Sequence, residues 1–160
     1  MVNIIIMVHS EANKVLYTTL FSRMQDVKFI IVPIDGADIN EHKVQIEEGL
    51  RSLKILKNDV DYILLSTNYG KKASEEINKP AFEYFLKEFD NAVIIGTGTT
   101  LKSISKALEL SDRIFAMKHS LNETEILSLP MSNKLLSIKT FKELIDETNL
   151  HKTFSKRMTI

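Results

Sequence analysis

The chain has 160 residues, 21 basic and 21 acidic, and no cysteine; this length favours one domain able to bury its own core, and disulfides, a thiolate nucleophile and Cys-based zinc or iron–sulfur sites are excluded. Hydrophobic residues make up 44% and charged residues 26%, which argues against disorder, while a net charge of zero offers no electrostatic footprint for nucleic acid. The longest apolar runs are four or five residues, against roughly 20 needed to span a bilayer, and no basic stretch precedes a long apolar one, so no membrane insertion or secretory leader is expected and the expected compartment is the cytoplasm.

Taken in chain order, short apolar runs alternate with longer amphipathic stretches. Asn3–Val8, Lys28–Ile34, Asp61–Leu65 and Ala92–Ile95 are rich in β-branched residues. Their continuous hydrophobicity predicts strands buried on both faces, as in a parallel sheet covered by helices. Helical spacing follows the first run in a stripe of Val15, Leu16, Thr19, Leu20 and Met24. After the second run it recurs in Ile46, Leu50, Leu53 and Leu56, and after the fourth in Leu101, Ile104, Ala107 and Leu108. Between Ala73 and Phe89 the pattern is less regular, and Pro80, with Asn78 near the cap position, is expected to open a helix. Alternation of this kind predicts an α/β fold: an open, mostly parallel sheet with helices on both faces and right-handed crossovers.

Beyond Leu110 the pattern weakens. Arg113–Met117 and Lys134–Ile138 read as short strands, Phe141–Ile145 as helical, and Lys152–Ile160 as a polar, basic and frayed tail. With no repeat or Gly/Pro/Ser-rich linker, the parse is one domain over 1–160, with a core at 1–110, an appendage at 111–150 and a tail at 151–160.

In open α/β sheets ligands bind beyond the carboxyl ends of the strands, which turns the strand list into candidate residues. The first strand delivers His9 and Ser10; the second Asp35, Gly36 and Asp38; the third Ser66, Thr67, Asn68, Tyr69 and Gly70; the fourth Gly96, Thr97, Gly98, Thr99 and Thr100. These loops hold four of the five glycines. His9 stands between an apolar strand and a predicted helix start. A helix N-terminus carries free N–H groups and about half a positive charge, which stabilise an anion such as a phosphoryl group. Imidazole, with a reference pKa near 6.5, is largely neutral and nucleophilic at neutral pH. A histidine that only caps or packs the loop is the alternative. Gly96–Thr100 departs from both common phosphate loops: Leu101 stands where a dinucleotide fingerprint has Gly or Ala, and the Gly-Lys-Ser/Thr of a Walker A loop is absent. His42, His119 and His151 show no metal-like spacing and read as solvated surface residues. Neither a metal nor a cofactor is expected.

With these loops in place the chain resembles enzyme IIA of the mannose family of the bacterial phosphotransferase system, and the related phosphocarrier domain that serves dihydroxyacetone kinase. MVNIIIMVHS is similar to the family's opening strand and phosphorylated histidine. VPIDGADINEHKVQIEEGL is similar to its second strand, acidic loop (Asp35, Asp38) and second helix. DYILLSTNYG is similar to its third strand and active-site loop, and AVIIGTGTTLKSISKAL to its fourth strand, small-residue turn and helix. The resemblance covers residues 1–110 and lies in the succession of segments rather than in one motif.

The resemblance implies a mostly parallel α/β sheet, and a homodimer exchanging a C-terminal strand that is antiparallel in its new sheet, for which Lys134–Ile138 is the candidate. It implies that His9 accepts phosphate from the histidine phosphocarrier protein and passes it to an enzyme IIB, or, in the kinase branch, to a nucleotide on a kinase subunit. Ser10, Thr67, Asn68, Gly70, Lys71, Gly96 and Thr97 would supply phosphoryl or orienting contacts. One position departs from the family: the aspartate that orients the histidine at the end of the third strand is replaced by Ser66, and the small turn by Asn68-Tyr69-Gly70-Lys71-Lys72. A hydroxyl can accept the imidazole hydrogen bond but cannot offset the positive charge that develops during transfer. The alternatives are a non-catalytic regulatory or binding module on the same fold, and an unrelated α/β nucleotide-binding protein using the Gly96 turn.

Overall fold

Unbroken runs of Val, Ile and Leu form strands that need cover on both faces. In the computed structural model, which describes residues 1–8, 11–34, 38–67, 72–96, 114–117 and 135–158, each of the four runs is such a strand. They are β1 (Val2–Val8), β2 (Val27–Pro33), β3 (Tyr62–Thr67) and β4 (Ala92–Gly96). Two more, β5 (Ile114–Met117) and β6 (Leu135–Lys139), complete one six-stranded sheet in the order β2-β1-β3-β4-β5-β6. Every neighbouring pair is parallel. The fold is α/β with an open sheet.

The candidate exchanged strand differs from its expected placement. β6 pairs with β5 of its own chain, and pairs parallel, with a register irregularity between Ile114 and Phe115. A parallel neighbour requires a crossover of about a dozen residues or more, and residues 118–134 are long enough to make one.

Side-chain alternation divides the core into two layers around β1. Val2, Ile4, Ile6 and Val8 pack under helix α1 (Glu11–Ser22) and helix α4 (Phe141–Met158). Ile5 and Met7 face the opposite way, into the layer formed with α2 (Ile39–Leu53) and α3 (Lys72–Glu88). The buried face of α1 is not the aliphatic stripe expected from its sequence. Tyr17 and Phe21 are buried and Met24 packs against them, while Val15, Thr19 and Leu20 are exposed. Tyr17, Phe21 and Met24 stand at i, i+4 and i+7, while Val15 and Thr19 make an i, i+4 pair on a neighbouring face, and the larger aromatic payload takes the core.

α2 is bounded by its own chemistry. The Asp38 carboxylate accepts the Glu41 N–H at 2.8 Å, an N-cap, and Lys54 ends the helix in the left-handed region at φ 56°. Leu56, expected on the α2 stripe, lies beyond the helix and is 73% exposed. Gly49 lets α2 approach the sheet, because a Cβ there would lie 2.8 Å from Ile30 Cγ2. Gly49→Ala gains up to about 1 kcal/mol of helix propensity but overpacks a buried neighbour at about 1–3 kcal/mol. The expected net is a loss of about 1 kcal/mol and a few degrees in Tm, partly relieved when Ile30→Ala is combined with it. Thermal unfolding of the four proteins measures this; a Gly49→Ala more stable than wild type would contradict it.

α3 does not begin at Pro80 as expected. It begins at Lys72 and carries the proline inside, on an exposed position; the cost of a missing N–H is borne by a helix whose C-terminal half anchors Ala81, Phe82 and Phe85 in the core. The segment read as a frayed tail is helical as far as Met158. Thr140 caps α4 by accepting the Glu143 N–H at 3.1 Å. Lys152 Nζ donates to the Met1 carbonyl at 2.6 Å and to Asp61 Oδ2 at 3.0 Å, so α4 is tied to the chain at the starts of β1 and β3.

Candidate functional site

The sheet order reverses at β1: β2 lies on one side and β3 to β6 on the other. Where the order reverses, the crossovers leaving the two adjacent strands go to opposite faces and open a crevice at their carboxyl ends, where doubly wound proteins bind ligands. Here those strands are β1 and β3. Met7 lies opposite Leu65, so the chain leaves β1 after Val8 and β3 after Thr67 at the same edge of the sheet. α1 then starts at Glu11 and α3 at Lys72, so two helix N-termini, with unpaired N–H groups and partial positive charge, follow these strand ends.

Ser66 is the best-described member of this edge. It is 4% exposed, and its hydroxyl is 3.0 Å from the Tyr17 hydroxyl, a buried hydrogen bond between β3 and α1 in which either oxygen can donate. Ser66 lies on the face of β3 that carries Leu64 and stands opposite Ile95 in register; Thr67 stands opposite Gly96, which in turn faces Ala116. Thr67 and Gly96 therefore stand at one level of the sheet, and Ser66 one residue before it.

Of the other candidates, Asp38 is the N-cap of α2, its carboxylate engaged by the Glu41 N–H. Asp-x-x-Glu before an amphipathic stretch is a capping signature, a signal that the acidic-loop reading passed over. His9, Ser10, Asp35, Asn68, Gly70, Lys71 and Thr97 lie outside the described residues, as do Gly36, Tyr69, Gly98, Thr99, Thr100 and His119.

Two residues carry more than their sequence positions suggested. Tyr17 joins the site through Ser66. His42, read as a solvated surface residue, is 1% exposed, and neither ring nitrogen has a hydrogen-bond partner of good geometry. Burial is the largest influence on it and lowers its pKa below the ordinary 6.5; the Ile34 carbonyl, Asp38 and Glu41 act in the other direction. Its spacing to Ile46 and Leu50, four and eight residues on, was the available signal for a buried face.

Among the described residues no group of three or more His, Asp or Glu is arranged to hold a metal ion. No described helix is long and apolar enough to cross a membrane. No protein-family model matches the chain, and neither a curated protein nor a solved structure matches it.

Proposed function

We propose that the chain is a phosphohistidine carrier of a bacterial sugar phosphotransferase system, accepting a phosphoryl group on His9 from the histidine phosphocarrier protein and passing it to an enzyme IIB. The observation that carries this reading is the strand order, in which β1, ending one residue before His9, lies beside β3, ending in Ser66 and Thr67, at the point where the order reverses. A neutral imidazole nitrogen of His9 attacks the phosphorus of the donor phosphohistidine; one P–N bond forms as the other breaks, and the donor imidazole leaves. The reverse chemistry delivers the group to the acceptor. Little covalent work is asked of the protein, so alignment and stabilisation of phosphoryl charge carry the rate. The N-termini of α1 and α3 are suited to that charge. A homodimer is part of this reading.

Ser66 favours a second reading. Ser66 is itself a neutral hydroxyl, bonded to the neutral hydroxyl of Tyr17, where a carrier of this type uses a carboxylate to balance the phosphoimidazolium. A module that keeps the fold without the chemistry would show the same arrangement.

Incubation with phosphoenolpyruvate, enzyme I and the histidine phosphocarrier protein separates the two. The carrier reading expects intact mass to show one acid-labile phosphoryl group on wild type and none on His9→Gln. An unmodified wild-type protein with a cognate donor would favour the non-catalytic module, and stabilisation by a nucleotide would turn attention to the Gly96 turn.

A further inference from the structure

On the face carrying α2 and α3, a cleft of about 530 Å³ opens between the two helices, within the volume range of small-molecule sites. It lies toward the starts of β3 and β4, as its lining by Val60, Ile63 and Asn91 shows, and so at the opposite end of the sheet from the Ser66 edge. Its floor is apolar: Ile5 and Ile63 come from adjacent strands, Leu50 from α2 and Phe85 from α3. Two cations stand at its rim. Lys43 Nζ is 4.9 Å from the centroid of the Tyr84 ring, and Lys57 Nζ is 5.7 Å from that of Phe89. Both lysines line the cleft, and neither is in a salt bridge with a described carboxylate. Glu47 is the single acidic residue of the lining, so the two ammonium groups outnumber its carboxylates, while Glu88, outside the lining, also acts on Lys43.

We propose that this cleft binds an organic anion with an extended apolar body, of the chemical class of a medium-chain carboxylate. An acyl chain on the floor gains by leaving water, while its head group meets ammonium groups already positioned over aromatic rings. A cationic amphiphile would meet the same two lysines as repulsion, and a neutral one would leave them without an added partner. The site is independent of His9, since none of its residues belongs to the β1–β3 edge.

Decanoate is the probe, titrated into the full chain and followed by amide chemical shifts. Saturable shifts confined to α2, the 57–63 segment, α3, Asn91 and the part of β1 around Ile5 are expected, with decylammonium giving none. Lys43→Gln combined with Lys57→Gln is expected to weaken decanoate binding by about tenfold, while the dispersed amide spectrum shows the fold intact. The proposal is overturned by decanoate shifts that do not saturate or that fall elsewhere, by decylammonium binding as tightly, or by wild-type affinity in the double variant.

Discussion

Phe21→Ala is expected to cost about 3–5 kcal/mol, the range for emptying a large aromatic site in a core. Phe21 is 1% exposed and touches three other rings: Tyr17 at 6.1 Å, Phe29 at 5.6 Å and Phe141 at 5.3 Å between centroids, the last edge-to-face. It therefore joins α1, β2 and the start of α4, and no single neighbour can collapse into the space it leaves. Because native stability is only about 5–15 kcal/mol, the variant should sit near the threshold of folding. Phe21→Leu, which refills most of the volume, should lose far less. Chemical denaturation of both variants measures the difference; equal, small losses would show that the aromatic cluster does not hold α1 to the sheet. Tyr17 lies one turn before Phe21 and bonds Ser66, so loosening this cluster also loosens the hydroxyl at the crevice.

The second large effect is a pH dependence centred on His42. In the unfolded chain this group titrates at the ordinary 6.5, and in the folded chain at lower pH, chiefly because burial penalises its charged form. Between those two values the unfolded chain binds more protons than the folded one, so stability falls as pH falls. The contribution is fully present above 6.5 and is lost as pH drops through that value toward the folded pKa. The groups that oppose the shift are the Ile34 carbonyl, Asp38 and Glu41, and they limit its size without reversing it. His42→Leu puts an apolar side chain on this face and removes two buried nitrogens that have no hydrogen-bond partner of good geometry among the described residues. The variant is expected to equal or exceed wild type near neutrality and to lose less on acidification, so that the gap widens as pH falls from about 7.5 toward about 5. Denaturant midpoints across that range test it, and superimposable pH profiles would contradict it.

Much of the architecture was legible because β1 to β4 are unbroken aliphatic runs, and a strand buried on both faces has no other sequence form. Strand direction was not legible at β6. A five-residue strand with three apolar side chains pairs equally well in either sense, and the choice rests on whether the preceding segment can make a crossover. The face of α1 was misjudged because the exposed Val15 and Thr19 are four residues apart just as the buried Tyr17 and Phe21 are, and spacing carries no information about side-chain size. Of the candidates named by the strand-end rule, Thr67 and Gly96 stand at one level of the sheet and Ser66 one residue before it. The rule did not distinguish Asp38 as a cap, since a carboxylate after a strand serves a ligand or the next helix with the same geometry. Tyr17 escaped because its role depends on a partner 49 positions away.

Solution NMR of the protein labelled with ¹⁵N in its histidines tests the phosphocarrier reading most directly. On addition of phosphoenolpyruvate, enzyme I and the histidine phosphocarrier protein, one of the four imidazoles should take on the shifts of a phosphoramidate nitrogen, and that signal should be absent from His9→Gln. Four unchanged imidazoles, or a phosphoramidate signal that persists in His9→Gln, would contradict it.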